Sequence, residues 1–241
     1  MGKPVKLELQ LEQVRDEARE VKSFRFVAPG AALPRHWPGQ FIRITVPVAS
    51  EGQAQTSRSF TIASAPTEPG YYQLTVKRNP RGVVSNFLHR SLAPGQRIQA
   101  RAPLGDFVFR DGSAERIALI GAGSGITPLR AILRTIADRE LAVAARLLYY
   151  NREAHDVIFH RELLRLAEAG AVQVHLALTR PPSDWPGLTG RIEAAHLERL
   201  LSDFAPQRVY LCGPPPMMER TQELLRDRGI GEQQILTELF H

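Results

Sequence analysis

Only one of the 241 residues is a cysteine, Cys212, and that scarcity removes whole classes of chemistry. One cysteine cannot close a disulfide within the chain, nor supply the several Cys, or Cys plus His, ligands of an iron–sulfur cluster. The seven histidines show neither an H-x-x-x-H nor an H-E-x-x-H spacing, so no metal site is expected. Long apolar runs are missing too. Nothing approaches the ~18–20 apolar residues of a membrane helix, and the start MGKPVKLELQLEQ alternates with charge where a signal peptide would be continuously apolar. A cytoplasmic location without membrane insertion is the expectation.

Blocks of basic residues are also lacking. The formal charge is +6, from 31 basic and 25 acidic residues, yet the arginines are dispersed, with no basic–aromatic interleaving. That argues against nucleic acid and leaves a phosphate-bearing cofactor or an acidic protein as the complement to the charge. With 43% hydrophobic and 23% charged residues the composition is that of a soluble globular protein. The length suits one large domain or two of about 100–150 residues.

Two hydrophobic periods divide the chain. From residue 5 to about 110 the period is two, in VKLELQLEQV, VKSFRFVA, GQFIRITVPV, RSFTIAS, YYQLTVKR and QRIQARAPLGDFVF, separated by turn clusters such as APTEPG and LAPGQ. Six short strands of this kind predict an antiparallel six-stranded β-barrel or a sandwich. After RDGSAE the pattern changes. Apolar runs at RIALIGA, ARLLYYN, VQVHLALTR, RVYLCG and QQILTEL alternate with helical stretches at 128–139, 156–169, 191–202 and 216–228. In the first of these Leu129, Ile132, Leu133 and Ile136 share one face. Such alternation predicts a doubly wound parallel sheet covered on both sides. The expected domains are 1–112 and 113–241.

RSFTIAS carries an unusual density of polar groups for a strand. Read alone, it would turn Phe60 and Ile62 inward and leave Ser59 and Thr61 as ordinary exposed positions. The first strand of the second domain runs into GAGSGITPLRAIL, where Gly121, Gly123 and Gly125 allow a sharp turn and close approach of a ligand. The helix that follows would offer free N–H groups to phosphate, with Thr127 as N-cap and Pro128 at the first helical position. The spacing is G-x-G-x-G rather than G-x-G-x-x-G, and Tyr149-Tyr150-Asn151-Arg152 ends the second strand without an acidic ribose ligand. A standard dinucleotide dehydrogenase is therefore disfavoured.

In order and rough spacing, RSFTIAS, VKRNPRGVVSNFLH, APLGDFVF, GAGSGITPLRAIL and CGPPPMM resemble the ferredoxin–NADP reductase-like flavoproteins over essentially the whole chain. The resemblance implies a flavin-binding barrel, usually holding FAD, followed by a nicotinamide-nucleotide domain. FMN stays open, because the residues that would pack the adenine of FAD lie in variable loops. Arg58 would pair with the flavin diphosphate, Ser59 and Phe60 would line the flavin with Phe60 stacked on the ring, and Thr61 would hydrogen-bond near flavin N5. The family often has tyrosine at the position of Phe60, so a hydroxyl contact is missing here.

Val76, Lys77 and Arg78 would run along the flavin. Gly82, Val83, Val84 and Ser85 would give backbone amides and a hydroxyl to the diphosphate at a helix start, with Arg81-Gly82 where many relatives have two glycines. Gly123 and Thr127 would face the nicotinamide nucleotide, and Cys212-Gly213-Pro214 would flank the nicotinamide, Cys212 in a positional role. Phe240 would cover the second flavin face, with Glu238 nearby as a proton relay. Arg152, Thr179 and Arg180 would meet a 2′-phosphate, giving a slight lean to NADPH over NADH; the tyrosine that often follows in NADP-type members has no match in PPSDWPGLTGR.

The expected activity is hydride transfer from NAD(P)H to flavin N5, with electrons leaving for a separate acceptor such as an acidic ferredoxin or flavodoxin. A reductase of free flavin or small oxidants, and a non-catalytic electron-transfer subunit, are the alternatives.

Overall fold

A computed structural model describes residues 4–48 and 54–239. The chain divides into two compact units, Met1–Phe109 with Arg130–Ile132, and Arg110–Leu129 with Leu133–His241. Among the described residues no helix is long and apolar enough to cross a membrane.

Alternation builds the first unit. It comprises β1 (Val5–Ala18), β2 (Val21–Val27), β3 (Phe41–Val46), β4 (Thr56–Thr61), β5 (Tyr72–Lys77), α1 (Val83–Arg90) and β6 (Arg97–Leu104). The strands pair antiparallel in the order β4-β3-β6-β1-β2-β5. In β3, Ile42, Ile44 and Val46 are fully buried while Arg43 is exposed, so period two sorts the strand into a core face and a solvent face. Leu9, Leu11, Phe24, Phe26, Leu74 and Ile98 close the same core, each buried side chain contributing about 1.5–3 kcal/mol. The two end strands of the order are drawn together just past β4, where Ala63 N–H donates to Gln73 O at 2.8 Å and Gln73 N–H to Ser64 Oγ at 3.0 Å. That closure curls the sheet into the expected barrel. The last expected strand is shorter than its sequence run. Pairing stops at Leu104, and Gly105, at φ +94°, turns the chain so that Phe107 and Phe109 are buried outside the ladder.

The second unit alternates β7 (Arg116–Ala122), α2 (Ile126–Asp138), β8 (Ala144–Asn151), α3 (His160–Glu168), β9 (Gln173–Leu178), β10 (Leu188–Thr189), α4 (Ala194–Leu201), β11 (Arg208–Cys212), α5 (Pro215–Arg226) and β12 (Ile235–Glu238). All pairings are parallel, in the order β10-β9-β8-β7-β11-β12. Six strands form rather than the five expected, because β10 is a two-residue edge strand, Leu188 and Thr189 opposite Ala177 and Leu178, too short to leave a periodic signal. Leu129, Ile132, Leu133 and Ile136 are all buried, as their shared face required. The order reverses at β7, from which the chain passes to β8 on one side and later to β11 on the other. The carboxyl ends of β7 and β11 thus flank the switch point where ligands bind in open α/β sheets.

Candidate functional site

In the first unit the RSFTIAS segment forms β4 and runs past its end. Phe41, Ile42, Arg43 and Ile44 of β3 stand opposite Thr61, Phe60, Ser59 and Arg58. Arg58 and Phe60 therefore share the face of the buried Ile44 and Ile42, but on a terminal strand of the order. Phe60 packs partly on the core and Arg58 is exposed, with no carboxylate partner among the described residues. Ser59 is exposed as expected, whereas Thr61 is not: it is 4% exposed, and its Oγ1 is buried with no hydrogen-bond partner. A hydroxyl left in that state costs about 1–3 kcal/mol, so the position suits a group waiting for a ligand atom. Beyond the strand, His36 Nε2 lies 3.1 Å from Ser64 O, and burial pushes the imidazole below its usual range, against the raising effects of that carbonyl and of Glu68.

The turn after β5 is held by side chains whose role was not read from the sequence. Asn86 Nδ2 donates to Asn79 O at 2.9 Å, Pro80 O at 3.1 Å and Gly82 O at 2.8 Å, and Asn79 Oδ1 accepts from Arg81 N–H at 3.0 Å. The Asn-Pro pair was the available turn signal. Ser85 Oγ accepts from Asn79 N–H at 3.1 Å and lies 3.2 Å from Gly82 O, so its hydroxyl braces the turn instead of facing outward. A Cβ on Gly82 would meet that oxygen at 2.8 Å and Asn79 Cβ at 3.1 Å.

What the turn presents is backbone. α1 begins at Val83 with no capping side chain and no acidic residue in its first turn, and its first internal bond is Asn86 N–H to Gly82 O at 3.1 Å. Gly82 N–H, expected to face the diphosphate, is instead taken up by Asn79 O at 2.9 Å inside the turn, so the amides of Val83, Val84 and Ser85 form the open, electropositive helix start. Val76 is buried in the core and Lys77 is exposed. Arg78, expected beside the ring and phosphates, is committed elsewhere. Its Nε pairs with Glu20 and its Nη1 reaches Asn86 Oδ1 at 3.4 Å, and the hydrogen bond to Arg78 holds the Glu20 carboxyl below its usual range.

In the second unit the three glycines do different work. Gly123 sits at φ +53° with nothing within 4 Å of a built Cβ, so it alone turns the chain through left-handed space beside open space. Gly125 and Gly121 serve packing: a Cβ on Gly125 would lie 2.1 Å from Cys212 O, and one on Gly121 would lie 2.8 Å from Leu129 Cδ1. The turn runs through a short 3₁₀ segment, Gly123–Gly125, directly into α2. This overturns the N-cap reading of Thr127. Gly125 is the cap residue and already helical, the helix starts at Ile126, and Thr127 Oγ1 donates back to Ser124 O at 2.9 Å. Pro128 accordingly lies at the third helical position. The fully buried Tyr149, also unread from sequence, donates its hydroxyl to Gly123 O at 2.9 Å and pins the turn from beneath.

Cys212 ends β11 opposite Gly121 and Glu238, fully buried. Burial first, then Glu238, pushes its thiol well above the ordinary range, so it stays protonated and is no nucleophile. Gly213 packs on Ala122 Cβ and Met217 Sδ, each 3.3 Å from a built Cβ, and Pro214 caps α5. Glu238 closes β12, and Phe240 lies outside the described residues. At the carboxyl ends of β8 and β9, Thr179 N–H donates to Asn151 O at 3.0 Å and Arg180 N–H to Arg152 O at 2.8 Å. Arg152, Thr179 and Arg180 are thereby brought together, all exposed, and neither arginine has a carboxylate partner among the described residues. Past Arg152, ligand atoms of Glu153, His155 and Asp156 fall within 4.8 Å of one another, a grouping absent from the sequence reading. His155 Nε2 there pairs with Glu153 Oε2 at 3.2 Å.

Two family profiles match this chain, an oxidoreductase FAD-binding domain over residues 8–109 and an oxidoreductase NAD-binding domain over residues 119–223. The chain is 32% identical over 221 residues to the glycine betaine monooxygenase reductase subunit of Chromohalobacter salexigens, covering 90% of this chain and 59% of that protein. It is 34% identical over 242 residues to the ferredoxin reductase component of 3-ketosteroid-9-alpha-monooxygenase of Mycolicibacterium smegmatis, covering 97% and 65%. The chain thus spans about three-fifths of the length of these curated relatives. Among solved structures, the FAD/NAD-binding domain of nitric oxide dioxygenase from Vibrio cholerae superposes with a TM-score of 0.87 at 27% identity, covering 97% of this chain and 98% of that one.

Proposed function

Because the chain belongs to the ferredoxin–NADP reductase-like flavoprotein family, with an FAD-binding and a NAD-binding oxidoreductase domain, we propose that it is an NAD(P)H-dependent flavin reductase that passes electrons to a separate acceptor. The observation that carries the reading is the buried Thr61 hydroxyl, without a hydrogen-bond partner among the described residues, next along β4 to Phe60, whose ring shares the other strand face with the exposed Arg58. These groups fit a flavin: a cation for the diphosphate, an aromatic face for the ring and a hydroxyl for a ring nitrogen. When bound, the flavin supplies hydride acceptance from the nicotinamide and electron release to the next carrier.

The chain's own residues bind and orient. The open start of α1 offers the amides of Val83, Val84 and Ser85 to diphosphate oxygens, inside a turn locked by Asn79 and Asn86. Gly123, held by Tyr149, and the Cys212-Gly213-Pro214 loop frame the nicotinamide nucleotide at the switch point. Cys212 acts by position and moves no proton. Glu238, opposite it in the sheet, is the carboxylate assigned the proton relay in this reading. Arg152, Thr179 and Arg180 form the site for a 2′-phosphate, with NADPH slightly preferred and a selectivity below tenfold, under ~1.4 kcal/mol. The acceptor is an acidic carrier of the ferredoxin or flavodoxin kind, complementary to the +6 charge.

Arg58→Ala tests the reading. Flavin content of the purified protein should fall sharply while the far-UV circular dichroism is kept, and normal flavin occupancy in this variant would sink the assignment.

A further inference from the structure

Strand register places three cations side by side on the solvent face of the antiparallel unit. Arg43 of β3 stands opposite Arg101 of β6, and Arg101 stands opposite Lys6 of β1. All three are exposed, and Ser59 of β4 continues the row on the far side of Arg43. Directly opposed residues of antiparallel strands hold their Cβ atoms about 4.5–5.5 Å apart, and like charges at that spacing destabilise a sheet.

Two nearby cations of the same unit are neutralised. Arg97 pairs with Glu8 at 2.7 Å, and Arg25 lies 3.8 Å from Glu12 and 3.9 Å from the Tyr71 ring centroid. Among the described residues no carboxylate pairs with Lys6, Arg43 or Arg101. The next row, Glu8–Gln99–Thr45, carries no unpaired cation, so the positive charge is confined to one line.

We propose that this row is the docking surface for an acidic protein, and, resting on the functional reading above, that this protein is the electron acceptor. The row lies on an exposed sheet face, which fits a complementary surface. Two guanidinium groups on central strands of the order offer paired N–H donors to carboxylates. The row ends at Ser59, which shares its strand face with Thr61 while Arg58 and Phe60 turn to the other face, so a protein seated on it reaches the edge of the segment that carries the candidate flavin motif. A lipid surface fits less well: Val5 is the one large hydrophobic residue of this unit exposed among those described, and interfacial binding needs apolar anchors.

The test uses the whole flavin-loaded protein, an acidic [2Fe–2S] ferredoxin as probe, menadione as an uncharged small acceptor, and phosphatidylglycerol vesicles as a second probe. The triple variant Lys6→Gln, Arg43→Gln, Arg101→Gln should weaken calorimetric binding of the ferredoxin, and kcat/KM for its reduction, about tenfold at low ionic strength. The difference should vanish at about 0.5 M salt, and menadione reduction should be unchanged. An equal charge change at Arg161, Arg165 and Arg220 should have no such effect. Arg101→Glu, which makes the row alternate in sign, should raise the melting temperature while weakening ferredoxin binding.

Ferredoxin binding that is absent in the wild type, or within twofold of wild type in the triple variant, overturns the proposal. So does an equal loss in the control variant. Loss of vesicle binding with ferredoxin binding intact overturns it in favour of a lipid surface. Failure of the wild type to reduce menadione with either nucleotide strikes instead at the functional reading, and the binding isotherm, which needs no turnover, still decides the docking surface.

Discussion

A single methyl group at Gly125 should harm the parallel unit more than one at Gly123, although Gly123 has the rarer backbone. A Cβ at Gly125 falls 2.1 Å from Cys212 O and 2.6 Å from Cys212 C, about 1.3 Å short of the 3.4 Å of ordinary contact for the oxygen. Both neighbours are backbone and cannot rotate away, so the two loops must part. Overpacking of this kind costs about 1–3 kcal/mol, and a rigid carbonyl neighbour places Gly125→Ala at the upper end. Gly123→Ala meets open space and incurs only the left-handed strain of its φ of +53°, about 1–2 kcal/mol. In a chain of this size the Gly125 variant should lose roughly 5–10 °C of melting temperature, and nucleotide affinity should fall with the parted loops. Flavin content should hold in both. Urea unfolding and nucleotide titration of the two variants give the comparison. A Gly125→Ala protein as stable as wild type, or a larger loss at Gly123, would refute the packing role.

Thr61→Val should stabilise the flavin-free protein by up to about 1 kcal/mol, since a buried unpartnered hydroxyl is replaced by a methyl, while flavin affinity drops; both are read by titrating the apoprotein. Tyr149→Phe strips the hydrogen bond from Gly123 O and should cost about 0.5–1.5 kcal/mol, with a several-fold rise in nucleotide KM at unchanged flavin content. Burial holds the His36 pKa down, so the unfolded chain binds that proton more readily. Its stabilising effect is complete above the unfolded value of about 6.5 and is lost as pH falls toward the folded value. Wild type should therefore lose stability between pH 7 and 5 more steeply than His36→Gln, and equal slopes in urea titrations at several pH values would contradict this.

The barrel and the parallel sheet were legible because each has its own hydrophobic period, two in β3 and strand–helix alternation after residue 115. What escaped depends on partners far apart in sequence or on very short elements. β10 has two residues, below any periodic signal. Thr127 has good N-cap chemistry, but a 3₁₀ turn that runs straight into α2 moved the cap to Gly125. Arg78 and Ser85 carry the right groups for a phosphate site, yet Glu20 and the Asn79–Gly82 turn engage them. Asn86 and Tyr149 act by bracing loops, a role their residue types do not announce. The Lys6–Arg101–Arg43 row exists only through register across three strands, which no local reading could assemble.

The most direct test of the flavoprotein reading is the absorption spectrum of the purified protein before and after anaerobic NADPH, with the released cofactor identified by chromatography. Oxidised-flavin bands that bleach with nucleotide, and release of FAD, are the expected result. A protein that binds no added flavin and oxidises no nucleotide in its presence would contradict it.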